Sequence, residues 1–149
     1  GTATLHRSNH PGMHKINNEP QHSKDELDVD IISLDNFFDK NNMQTKIDFV
    51  KIDVEGFELS VLNGMKNILK NNKNIKILFE FMPEKLHGKD LEYDSKYEEI
   101  LNFLELFDLK NFCIDEKNNK LIQVLDKKKI LELCASHKNT ISRNIFCQK

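Results

Sequence analysis

Tryptophan is absent from this chain of 149 residues, which also has only two tyrosines, three prolines, three cysteines and five glycines. Arginine is nearly absent too: of 22 basic residues, only Arg7 and Arg143 carry a guanidinium. Specific reading of bases or phosphates favours that bidentate fork. Lysine without arginine, at a formal net charge of −2, therefore argues against a nucleic-acid partner. No apolar run approaches the ~20 residues that span a bilayer, so no membrane partner is expected either. Cys113, Cys134 and Cys147 are odd in number and lack metal-type spacing, which suits buried or free thiols in a reducing, cytoplasmic compartment. The chain opens at Gly1 rather than Met, nothing resembles a signal peptide, and Thr2 to Leu5 already reads as the middle of a strand. The expectation is a single domain over 1–149, cut at its amino end, with a hairpin or loop region over 1–28 and an α/β core over 29–149.

What the chain does have is concentrated in Ile47 to Gly64. Ile47, Phe49, Val50, Ile52 and Val54 make a nearly continuous apolar run, the pattern of a parallel strand covered on both faces. Phe57, Val61, Leu62, Met65, Ile68 and Leu69 then recur at helical spacing, one stripe of a single amphipathic helix. Between run and stripe sit Asp53, Glu55, Gly56 and Glu58. Ligands of open α/β sheets bind outside the carboxyl ends of the strands, where these acids fall.

The rest of the chain supports an α/β reading. Thr2 to His6 is a short strand. His6, His10 and His14 are spaced by four, but Pro11 and Gly12 break any helix that would align them for a metal. Lys15 to Glu26 is polar, contains Pro20, and reads as a surface loop. Val29 to Leu34 reads as a strand, and Ser33 or Asp35 caps a short helix carrying Phe37 and Phe38. Glu58, near the amino end of the next helix, reads as a first-turn charge that complements the helix dipole. Asn71 to Asn74 ends that helix, Ile75 to Phe81 is a second apolar strand, and Pro83 ends it. Glu84 to Tyr93 reads as a polar loop. Ser95 and Glu98 form a capping-box pair ahead of a helix with Tyr97, Ile100, Leu101, Leu104 and Phe107 on one face. Asn111 to Asp115 and Lys120 to Leu125 read as a hairpin, Asp126 caps a last helix through Cys134, and Asn144 to Gln148 closes the chain as a strand. The alternation implies an open α/β sheet.

Lys51-Ile-Asp-Val-Glu-Gly-Phe-Glu-Leu-Ser-Val-Leu-Asn-Gly64, with Ser33-Leu-Asp-Asn-Phe37 upstream and Ile77-Leu-Phe-Glu-Phe81 downstream, resembles the FkbM-like family of methyltransferases that use S-adenosyl-L-methionine. The resemblance is densest between Val29 and Met82. It implies the C-terminal portion of a Rossmann-like, class I methyltransferase sheet, mostly parallel with an antiparallel strand near the C-terminus. It also implies methyl transfer, typically to a hydroxyl of a small molecule or sugar. In the family's strand order, strands one to three lie upstream and Ile47–Val54 pairs with the first of them, so in this chain that strand is expected as an unpaired apolar edge that favours self-association.

Such a transfer needs the methyl carbon and the acceptor oxygen in line, and a group to take the acceptor's proton. Asp53 and Glu55 are two apart, so in extended chain they share a face. Asp53 follows the apolar run, is expected to lie deepest, and would orient the acceptor or the cofactor's methionine end. Glu55 is the first choice of general base, followed by Glu80 and His87. Asp53, Val54 and Gly56 would contact the cofactor, and no metal is expected. Lys51 reads equally as an edge charge or as a partner of Asp53. An acid-x-acid pair also suits Mg²⁺ or Mn²⁺ on a nucleotide sugar, so a metal-dependent glycosyltransferase using Asp53 and Glu55 is the alternative enzyme. A non-catalytic interaction fragment is a further alternative. The five glycines include no G-x-G arrangement, so the glycine-rich cofactor turn is missing and the chain alone is expected to be inactive.

Overall fold

The computed structural model describes residues 1–7, 15–16, 25–43, 46–54, 56–81, 84–87, 90–93, 95–135 and 141–149, with the backbone alone at 7, 15, 84–87, 90–93, 135 and 141–143. The chain forms two compact units, Gly1–Met43 and Gln44–Lys149.

In the first unit, β1 (Thr2–Arg7) is the middle strand of an antiparallel sheet between β2 (Lys15–Ile16) and β3 (Asp25–Asp30). The strand expected at Val29–Leu34 therefore begins earlier, in an acidic stretch of poor intrinsic strand propensity. Its ladder explains this. Leu27 pairs with Leu5 and Val29 with Ala3, and the Thr4 hydroxyl donates to Asp28 Oδ1 at 3.0 Å. Ser33 is the cap of α1 (Leu34–Lys40): its Oγ accepts from the Asn36 N–H at 3.2 Å. None of the described side chains of this unit is buried.

The second unit is built on a strand, a turn and a crossover. β4 (Phe49–Ile52) leads through the acid-bearing turn into α2 (Glu58–Asn63) and α3 (Lys66–Asn71), and the chain returns as β5 (Lys76–Glu80), parallel to β4. The single helix expected here is two. Gly64 ends α2, and the turn closes with bonds from Gly64 N–H to the Val61 carbonyl and from Met65 N–H to the Leu62 carbonyl. Glycine is a poor helix former, and such tightened bonds are how a helix end satisfies its carbonyls. The break keeps Leu62, Met65, Ile68 and Leu69 fully buried, whereas Phe57 is exposed. Asn72 locks the crossover: its Nδ2 donates to the Ile68 carbonyl at 2.8 Å, and its Oδ1 accepts from the Ile47 N–H at 2.8 Å.

Next come β6 (Glu84–His87) and β7 (Asp90–Tyr93), an antiparallel pair where a loop was expected. His87 pairs with Asp90, so Gly88 and Lys89 are the only residues between them, the spacing of the commonest hairpins. α4 (Ser95–Leu106) buries Tyr97, Ile100, Leu101 and Leu104 as its periodicity predicts, together with Phe103. β8 (Lys110–Asp115) and β9 (Lys120–Gln123) form the expected hairpin. α5 (Lys127–Ala135) is capped by Asp126, whose Oδ1 accepts from the Lys128 N–H at 2.8 Å. β10 (Ile141–Gln148) ends the fold.

The mixed α/β class is thus as expected, but the five-stranded sheet, ordered β4-β5-β10-β8-β9, is not mostly parallel. Only β4 and β5 pair in parallel; the other three pairings are antiparallel. The reason lies in the last strand. β10 inserts against the direction of both β5 and β8, so β4, β5 and β8 all run the same way without β5 and β8 touching. Nor is β4 covered on both faces. Ile52 is buried, but Phe49 and Lys51, which alternate with it, are exposed. Among the described residues no helix is long and apolar enough to cross a membrane.

Asn72→Ala removes both crossover bonds at a buried position and should cost about 1–3 kcal/mol of stability. Urea denaturation will show this as a lower midpoint at unchanged slope. Leu125→Ala, at a side chain 87% exposed, should stay within about 0.5 kcal/mol of the parent.

Candidate functional site

The β4–β5 register pairs Ile52 with Phe79. Asp53 follows the first and Glu80 the second, so both acids leave the same carboxyl end of the parallel pair. This end is a ligand position in open α/β sheets.

Asp53 does not lie deepest. Its side chain is 55% exposed and accepts from Lys51 Nζ at 3.0 Å. Lys51 is therefore its partner, as their two-residue spacing on one face of a strand permits. The ammonium is itself exposed, so the pair is hydrated and the carboxylate keeps open acceptor positions toward solvent. Val54 is half-buried, and its carbonyl accepts from the Phe57 N–H at 3.3 Å. Gly56 follows at φ +101°, a backbone angle that L side chains rarely adopt. A Cβ there would come within 3.3 Å of Lys96 Nζ, the mobile end of a side chain, so the backbone angle is the stronger reason for glycine.

The buried acid is Glu58, which lies in the first turn of α2 as its sequence position implied. It is 2% exposed. Oε1 accepts from the Gly56 N–H at 3.0 Å, bending the carboxylate back over the turn that precedes its helix. Oε2 is buried and has no hydrogen-bond partner among the described residues. A buried acceptor left open costs about 1–3 kcal/mol. The clue available in the sequence was the two-residue spacing from Gly56, which places a carboxylate within reach of that N–H.

The remaining candidates do not gather as one described cluster. Glu55 lies outside the described residues. Glu80 is half-buried at the end of β5, where its register partner on β10 is Asn144. His87 ends β6, with its side chain outside the described residues. His6 Nδ1 lies 3.4 Å from Glu26 Oε1, whereas His10 and His14 are not described. Among the described residues no three His, Cys, Asp or Glu side chains group as a metal site. The turn can therefore offer the exposed Asp53 carboxylate to a ligand that brings donors, while the open oxygen of Glu58 is buried.

A family model described as the methyltransferase FkbM domain matches residues 1–113. No curated protein and no solved structure matches the chain significantly.

Two substitutions separate the turn's geometry from its charge. Gly56→Ala forces a side chain into the left-handed region and should destabilise the protein by about 1–3 kcal/mol. Asp53→Asn breaks only an exposed ion pair, worth about 0.2–1 kcal/mol. Thermal unfolding of the two variants should show a clear fall for the first and almost none for the second.

Proposed function

The chain belongs to the methyltransferase FkbM domain family, and on that premise we propose that it forms the acceptor side of a methyltransferase dependent on S-adenosyl-L-methionine. The reaction we assign is O-methylation of a hydroxyl on a small molecule or sugar. The observation that carries the reading is the placement of Asp53, Val54 and Gly56 at the carboxyl end of the parallel β4–β5 pair. The Rossmann-like part of the reading draws support from β4, β5 and β8 running one way with β10 reversed between the last two.

The residues present suit such a cofactor. Asp53 carries an exposed carboxylate whose described partner is the equally exposed Lys51 Nζ, so it keeps acceptor capacity for ammonium and hydroxyl groups. Asp53, Val54 and Gly56 would hold the cofactor, which supplies an electrophilic methyl group when bound. Asp53 accepts a hydrogen bond from the ligand and so fixes its orientation. Its exposed position makes this a binding role rather than that of a desolvated base. Glu55 takes the acceptor's proton in this reading, with Glu80 and His87 as the next choices.

The chain has no G-x-G arrangement through which backbone approaches a ligand closely. We therefore assign it half of the cofactor site at most, and no turnover on its own. The exposed ring of Phe49 and the position of β4 at the end of the sheet favour self-association along that edge.

Calorimetric titration with S-adenosylhomocysteine tests the reading. This chain alone should give no resolvable heat. A longer chain supplying a glycine-rich turn ahead of these residues should bind, and more weakly once Asp53→Asn is introduced. Absence of binding to the longer chain, with turnover of a nucleotide sugar in Mn²⁺, would replace methyl transfer by glycosyl transfer. Sedimentation across a range of concentrations tests the edge: association should rise with concentration and fall in Phe49→Lys, and a strictly monomeric parent would refute it.

A further inference from the structure

Cys113 and Cys134 stand 21 positions apart in sequence, yet their sulfurs lie 3.9 Å apart in the core. Cys113 is central in β8, paired with Ile145 on one side and Ile122 on the other. Cys134 projects from the last turn of α5. Both side chains are buried. α5 is held against α4 as well, since Lys127 Nζ donates to Asn102 Oδ1 and to Glu105 Oε2, so the two sulfurs meet between elements fixed on several sides. A disulfide needs its sulfurs at about 2.0 Å. Closing that gap requires side-chain rotation at one or both cysteines.

We propose that Cys113 and Cys134 are a peroxide-sensitive pair that closes to a disulfide and staples α5 to β8. Cys113 is the attacking sulfur. The contact between the two thiols lowers the Cys113 pKa, against the opposing effect of burial. The same contact pushes Cys134 up, and burial adds to it. The Cys113 thiolate takes the distal oxygen of hydrogen peroxide and becomes a sulfenic acid, and hydroxide leaves. Cys134 then attacks the Cys113 sulfur, the S–S bond forms, and the sulfenic oxygen departs as water with the Cys134 proton. Overall, two thiols and one peroxide give one disulfide and two waters.

Cys147 is the internal control. It is also buried, on β10, but its thiol is engaged by Asn111 Oδ1 at 3.3 Å, and burial pushes its pKa up. It should stay reduced. Glutathione is too large to reach sulfurs this enclosed, so the pair should close without a mixed disulfide.

The test is peroxide titration of the folded protein, followed by non-reducing peptide mapping. The parent and Cys147→Ser should both yield a peptide pair joined through Cys113 and Cys134, lighter by two hydrogens and separated by dithiothreitol. Cys134→Ser should instead stop at a sulfenic acid on Cys113, captured by dimedone. The oxidised parent should also melt at a higher temperature than the reduced one, because the staple constrains the unfolded chain. Thiols that react only after denaturation would overturn the proposal, and so would a crosslink that consistently includes Cys147.

Discussion

Parallel pairing of β4 with β5 is the constraint on which the second unit depends. Two parallel neighbours cannot be joined by a tight turn, so the chain between them must cross over the sheet and pack there. Here the crossover is two short helices whose apolar residues, Leu62, Met65, Ile68 and Leu69, are all fully buried. Asn72 then ties the end of the second helix to the approach of β4. That amide serves both ends of the unit at once. Because both strands run the same way, their carboxyl ends coincide, and Asp53 and Glu80 leave the sheet at the same end.

At that end the acid expected to lie deepest, Asp53, is exposed, and a neighbouring acid is buried instead. Asp53 is the exposed acid, neutralised in part by Lys51, and is free to meet a ligand. Glu58 is the buried one, spending one oxygen on Gly56 and leaving the other open. A carboxylate in that position stiffens a turn whose glycine adopts φ +101°. The turn thus pairs a hydrogen-bonded backbone bend with a solvent-exposed charge.

Much of this was legible in the residues, for identifiable reasons. Apolar periodicity located β4, β5, α4 and the β8–β9 hairpin, because each buries a face whose pattern is local. Ser33 and Asp126 revealed their helices because caps are local too. What escaped was set by distant partners. β3 begins at Asp25 because β1 pairs with it. The antiparallel course of β10 agrees with what the family resemblance implied, but its insertion between β5 and β8, which leaves a single parallel pairing in the sheet, is encoded by no pattern within Asn144–Gln148. The exposure of Phe49 and Lys51 likewise follows from which face of β4 receives cover, and the run Ile47–Val54 is apolar enough to suit either outcome. The burial of Glu58 goes with its bond back to the Gly56 N–H, a contact that helix periodicity does not encode.

The most direct test of the central claim is amide chemical-shift mapping of this chain with S-adenosylhomocysteine at concentrations high enough to detect half a site, on the order of millimolar affinity. The account predicts shifts confined to the turn from Asp53 to Phe57 and to the neighbouring end of β5 at Glu80 and Phe81. Shifts centred elsewhere, or none at saturating ligand, would contradict it.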